Sequence, residues 1–146
     1  MNILGLNGPN LNMLGIREPG IYGRGTYEDL QSLIRAHAHK RVVNLSIYPS
    51  NHEGELVDAI QQAYYDGTDG IIFNPAAYTH TSVALLDALK AVGIPTVEVH
   101  ISDVSAREDF RQRSFVRATC IATVMGKGFD GYCEAMDILL KEAQAE

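Results

Sequence analysis

Glu98 and His100 stand two positions apart in the apolar run VEVHI and form the clearest chemical pair in the sequence. In a strand, a period of two puts both side chains on one face. A carboxylate beside an imidazole favours the protonated ring and fixes its orientation, which suits a general acid. The alternative is a plain salt-bridged strand end. A second group lies in residues 6–25, LNGPNLNMLGIREPGIYGRG. There Tyr22 either pins the segment by packing its ring or acts as a general base. A phenol with a pKa near ~10 needs a nearby cation to serve as a base at neutral pH. Arg17 is the better candidate for that cation, because Arg24 has an equal claim to be a solvated charge. Asn74 and His80 bracket a third segment, NPAAYTH, where an amide can both donate to and accept from a hydroxyl. Thr79, His80, Thr81 and Ser82 then open a helical pattern whose first amides favour an anion, with one of the threonines expected to be a simple cap. Arg107 and Arg111 share a helical face. They either hold a carboxylate or phosphate or pair with Glu108 and Asp109.

Several chemistries lack their residues. No GxGxxG and no GxxxxGK[ST] follows a strand, so dinucleotide and P-loop sites are not expected. Lys127 is the sole lysine near a strand's carboxyl end and sits between glycines in a turn, which argues against an imine. His52, Glu53, His80 and His100 have no ligand spacing on one element, and His37 and His39 lie on different faces of a helix and read as solvated. Neither a metal nor a cofactor is expected. What remains is a small site with a Tyr–Arg pair, a Glu–His pair, amides, hydroxyls and an anion clamp. It suits proton abstraction beside a carbonyl on a small hydroxylated acid, with the histidine protonating a departing oxygen.

The elements that must position these residues follow from periodicity. Strands are predicted over 2–6, 42–48, 70–73, 95–101 and 119–125. The first helix starts at Thr26, with Asp29 three positions on, and carries Leu30, Leu33, Ile34 and Ala38 inward to about Lys40. Others are predicted over 55–65 (Leu56, Ala59, Ile60 and Ala63 inward), 81–92 (Val83, Leu86 and Leu89 on one side) and 129–143. Residues 107–113 form only a short helical turn. Five β-α steps with apolar rather than alternating strands predict an α/β fold: a single-domain, doubly wound, flavodoxin-like, five-stranded parallel sheet. In such a sheet ligands bind beyond the carboxyl ends of the strands, where almost every unusual polar residue falls. The loop after the first strand is too long for a simple connection, and a lid over about residues 15–25 is expected.

Composition sets outer bounds. The 146 residues fit one domain spanning 1–146, and 46% hydrophobic with 21% charged residues is ordinary for a globular protein. A net charge of −6 argues against nucleic-acid or acidic-membrane partners. No stretch approaches a membrane span and no signal peptide is visible, so the cytoplasm is expected. Cys120, in the fifth strand, and Cys133, in the last helix, read as reduced core thiols.

Nearly the whole chain resembles the type II 3-dehydroquinate dehydratases. The resemblance is carried by NGPNLNMLGIREPGIYG, SNHEGELVD, NPAAYTHTSVALLDAL, VEVHIS with AREDFR, and GKGFDGY, in that order. It implies a lyase that takes 3-dehydroquinate to 3-dehydroshikimate by trans elimination through an enolate. The setting is the shikimate pathway of aromatic amino acid biosynthesis, with quinate catabolism as the alternative. Tyr22 matches the base for the C2 proton, Arg17 the lid arginine that activates it, and His100 the acid for the C1 hydroxyl. Asn10 matches the residue that holds the enolate through a water, and Glu98 the one that orients the histidine. Asn74, His80, Ile101, Ser102 and Arg111 match substrate-binding positions, and Asp87 one that reaches a neighbouring subunit's site. The resemblance also implies a homo-oligomer, a dodecamer built from trimers, whose lid closes over substrate. The sequence departs from the pattern at Asp103 and Ser105, where many members carry Asn and an aromatic or His, and at Phe115, where Tyr is common. An acidic Asp103 beside a carboxylate substrate would oppose binding unless Arg107 or Arg111 neutralises it.

Overall fold

Five strands hydrogen-bond in the order β2-β1-β3-β4-β5, every neighbouring pair parallel. They are β1 (Asn2–Asn7), β2 (Asn44–Pro49), β3 (Gly70–Asn74), β4 (Thr96–His100) and β5 (Ala122–Met125). The computed structural model describes residues 1–16 and 25–145. The helices are α1 (Tyr27–Arg41), α2 (Glu53–Tyr65), α3 (Val83–Val92) and α4 (Asp130–Ala145). Central strands buried on both faces need right-handed crossover helices on both sides, and that is how the flavodoxin-like order arises.

Strand alternation divides the core in two. Ile3, Ile72, Val97, Val99 and Val124 face α1 and α4, meeting Leu30, Ile34, Ala38, Tyr132, Met136 and Leu139. Leu4, Leu6, Ile71 and Phe73 face α2 and α3, meeting Leu56, Ile60, Ala63, Leu85 and Leu89. Each fully buried aliphatic side chain contributes about 1.5–3 kcal/mol.

Helix ends follow local chemistry. Thr26 caps α1 in a full capping box, its hydroxyl accepting from Asp29 N–H while the Asp29 carboxylate accepts from Thr26 N–H. Gly93 ends α3 in a left-handed conformation. Val42, expected in a strand, instead takes the left-handed cap of α1 at φ 59°, so β2 begins only at Asn44. Leu33 is exposed, because it lies about 100° round the helix from Ile34, outside the narrow Leu30–Ile34–Ala38 stripe. Val83 is exposed for the same kind of reason: the buried side of α3 is Leu85, Ala88 and Leu89. The α3 cap is Ser82, whose hydroxyl accepts from Leu85 N–H, rather than either threonine. Cys120 precedes β5 instead of lying within it, and both cysteines are half-buried. His37 is not solvated. It reaches across to α4, where Asp137 sits 2.8 Å from its Nε2 and also accepts from Arg41.

At the carboxyl ends, polar side chains replace the apolar ones. Asn7 and Asn74 are register partners on β1 and β3. The fully buried Tyr132 hydroxyl of α4 donates to Asn7 Oδ1 and accepts from Asn74 Nδ2, each at 2.8 Å. Asn7 Nδ2 then donates to Tyr27 at 3.1 Å, and Asn74 Oδ1 accepts from Ala76 N–H at 3.0 Å. Beside this chain, Gly8 N–H donates to Asn74 O at 2.8 Å, and a Cβ at Gly8 would lie 2.5 Å from the Pro75 carbonyl oxygen.

Two stability predictions follow from this packing. Tyr132→Phe removes the partner of Asn7 Oδ1 and of Asn74 Nδ2, both buried, and is expected to lower unfolding free energy by about 1–3 kcal/mol in urea titrations. Gly8→Ala forces a methyl group against the Pro75 backbone, and a loss of about 1–3 kcal/mol is expected, with NMR shifts displaced around Asn74–Ala76.

Candidate active site

A cleft opens beyond the carboxyl ends of β1, β3 and β4. Asn10, Asn74, His80, His100, Ile101 and Ser102 line it. Arg107 and Arg111 close one side. Eight residues singled out from widely separated stretches of sequence thus reach one cavity. Asp87 does not: it is exposed on α3 and absent from the cleft wall of its own chain. Arg17 and Tyr22 lie outside the described residues.

His100 ends β4 and is buried. Its Nε2 lies 2.5 Å from Glu98 Oε2, as the two-residue period requires. Burial alone would push the Glu98 carboxyl up. Hydrogen bonds and charge from His100 and Arg117 outweigh it and hold the group at about 2. The carboxylate therefore accepts, His100 Nε2 carries the proton between them, and Nδ1 remains for whatever occupies the cleft.

Glu98 has more partners than the sequence suggests. Thr79 Oγ1 at 2.9 Å and Ser114 Oγ at 3.0 Å also reach Oε2. Arg117 places Nε 3.1 Å from Oε1 and Nη2 3.2 Å from Oε2. In the sequence Arg117 only follows Arg107, Arg111 and Arg113 in a run of clustered arginines, with nothing to name its partner. Thr79, Ser114 and Tyr132 carry no spacing signal at all, since their contacts depend on strand register and helix docking.

The loop after β3 is fixed twice. Its turn, Ala76–His80, places His80 Nδ1 2.7 Å from Arg113 O. A carbonyl only accepts, so Nδ1 carries the proton and Nε2 is left as the acceptor of the neutral ring. Burial chiefly holds His80 below the ordinary imidazole range, assisted by the charges of His100 and Arg111. Asn51 supplies the second tie, accepting from Asn10 N–H at 2.9 Å through its side chain and from the Tyr78 hydroxyl at 2.8 Å through its carbonyl. Asn10 takes a left-handed backbone, φ 69°, which asparagine tolerates.

Arg111 is paired with a local acid and also reaches the cleft. Its Nε donates to Glu108 at 2.5 Å while the residue lines the cleft. Asp103 turns its carboxylate onto its own turn, accepting from Ser105 N–H at 3.0 Å, and does not line the cleft. Phe115 lies beneath the Arg113 guanidinium, 5.4 Å from ring centroid to cation. Among the described residues no three His, Cys, Asp or Glu side chains gather as metal ligands. No described helix is long and apolar enough to cross a membrane. The cleft thus offers a carboxylate-held imidazole as proton donor, a neutral imidazole and amides for hydroxyl groups, and two guanidinium groups for an anion.

The family model for Dehydroquinase class II matches residues 1–140. The 3-dehydroquinate dehydratase of Clostridium beijerinckii is 50% identical over 139 residues, 95% of each chain. That of Corynebacterium glutamicum is 54% identical over 138 residues, 94% of each. The crystal structure of type II dehydroquinase from Butyrivibrio crossotus superimposes with a TM-score of 0.95 at 49% identity, covering 96% of this chain and 97% of the other. With its 2-1-3-4-5 parallel sheet and the cleft described above, the chain belongs to the class II dehydroquinases.

Proposed function

We propose that this chain removes water from 3-dehydroquinate to give 3-dehydroshikimate, a step of the shikimate pathway, by trans elimination through an enolate and without an imine. Aromatic biosynthesis rather than quinate breakdown is its setting in this reading. The observation that carries the chemistry is the buried Glu98–His100 pair, 2.5 Å apart, whose imidazole lines a cleft with two arginines.

Tyr22, as phenolate beside Arg17, takes the C2 proton, and the electrons move into the neighbouring carbonyl to form the enolate. Asn10 holds a water against that oxygen. The enolate collapses, the C1–O bond breaks, and His100 gives its Nδ1 proton to the departing hydroxyl, which leaves as water. Tyr22 ends protonated and His100 neutral, and returning one proton from phenol to imidazole restores the site. The substrate carboxylate shares C1 with the departing hydroxyl. It therefore lies beside His100, where Ile101 and Ser102 continue the chain and Arg107 and Arg111 supply positive charge. Asn74 and His80 take the ring hydroxyls. The segment at about 15–25 serves as the lid within a single catalytic domain. Asp87, exposed and away from its own cleft, suits a role at a neighbouring site in a dodecamer of trimers.

Conversion of 3-dehydroquinate is expected to appear as rising ultraviolet absorbance of the conjugated enone. Tyr22→Phe should abolish turnover with an unchanged circular dichroism spectrum, and substantial remaining activity would remove Tyr22 from the role of base. His100→Ala should lower kcat by about 10²–10⁴-fold. Borohydride added during turnover should trap nothing, whereas a stable lysine adduct would overturn the imine-free route.

A further inference from the structure

β4 is buried at every position, yet the face it turns toward the second core carries Thr96, Glu98 and His100 instead of aliphatic side chains. Glu98 is inaccessible to solvent. A buried carboxylate needs a counter-charge and filled lone pairs. Hydroxyl groups fill part of that need. Thr79 and Ser114 each approach Oε2 and lie 2.8 Å from one another, so two hydroxyl protons are shared among three contacts and at most two of the three are hydrogen-bonded at once. Thr123 from β5 approaches Oε1 at 3.4 Å. None of these supplies positive charge. Among the described residues the groups that do are His100 and Arg117, and Arg117 spans both carboxylate oxygens with its Nε and Nη2. Arg117 does not line the cleft and reaches His100 only through Glu98.

We propose that Arg117 is a positioning residue for the proton donor: by spanning Glu98 it neutralises that carboxylate independently of His100, so the imidazole is oriented by Glu98 without being its sole counter-ion. With His100 alone beside it, Glu98 would hold the imidazolium as a buried ion pair, and giving up the proton would strand a bare carboxylate. With the guanidinium in place, the Glu98–Arg117 pair is neutral whichever form the ring takes. The fork matters as well as the charge, since a planar guanidinium matches two carboxylate oxygens and an ammonium meets them as a point.

The other groups facing this pair leave the assignment intact. His80, Arg107 and Arg111 face His100 from the cleft side. The bonds of His80 and Arg111 go to Arg113 O and to Glu108 rather than to Glu98. The Cys120 thiol lies near Glu98, but burial chiefly pushes it up to about 12, so it adds no charge.

The inference rests on His100 being the acid of the proposed dehydration, and its test separates the two. In full-length Arg117→Met and Arg117→Lys, the His100 ring is titrated by NMR and kcat and KM are followed against pH. For Arg117→Met the His100 titration should move up by about one unit or more, because the ring becomes the only cation beside the carboxylate among the described residues. The limb of kcat that reports loss of the acid's proton should move upward with it. At the wild-type optimum kcat should fall about tenfold while KM changes little, since a more tightly held proton makes a weaker acid. Arg117→Lys should return the titration most of the way to wild type but restore kcat only in part. An unshifted His100 titration in Arg117→Met overturns the proposal even if stability is lost. If that variant does not fold, Arg117→Lys decides: wild-type titration and wild-type kcat together overturn the need for the fork. The NMR titration reads the coupling without turnover, so it stands even if dehydratase activity is absent.

Discussion

A carboxylate with no access to water stands at the centre of this fold. Glu98 occupies a position that an aliphatic side chain would fill without further help, and everything around it compensates for that choice. β4 brings His100 onto the same face, the loop after β3 brings Thr79, and the segment between β4 and β5 folds back to bring Ser114 and Arg117. Removing any one partner leaves the others with a charge they must share, and this makes the arrangement a unit rather than a set of separate contacts.

A second polar system lies on the opposite side of the sheet. Asn7, Asn74, Tyr132 and Tyr27 form a continuous chain of side-chain hydrogen bonds between β1, β3, α4 and α1. Both systems sit where the strands end, and the cleft lies beyond them. The deeper parts of each core are aliphatic. The division is physical: apolar burial stabilises the lower sheet, and satisfied polar groups give the upper edge fixed directions. Every buried side-chain nitrogen and oxygen among the described residues has a partner.

The sequence made the order of elements legible because β-α alternation and strand hydrophobicity are local. It also made Glu98 and His100 legible as a pair, since strand geometry converts a spacing of two into one face. Asn74 and His80 could be read as strand-end residues on the same logic. The errors were local too. Leu33 and Val83 are apolar but lie off the buried stripe, and Val42 looks like strand while its backbone closes a helix. His37 was missed as a partner of Asp137 because the two are brought together by helix packing, 100 positions apart. The partners of Glu98 and of Asn74 were hidden for the same reason. A threonine, a serine or a tyrosine carries no mark of what it will meet until register and docking are known.

The bond between Tyr132 and Asn7 joins residues 125 positions apart. Asn7 belongs to β1 and Tyr132 to α4, which is made after it. As the chain leaves the ribosome, β1, β2, β3 and β4 are all synthesised before the side chain that completes the floor beneath Asn74. The order of synthesis therefore leaves a nascent chain with its strands present but its site unfinished, and the closing helix, which supplies no cleft-lining residue among those described, is the segment whose arrival completes it.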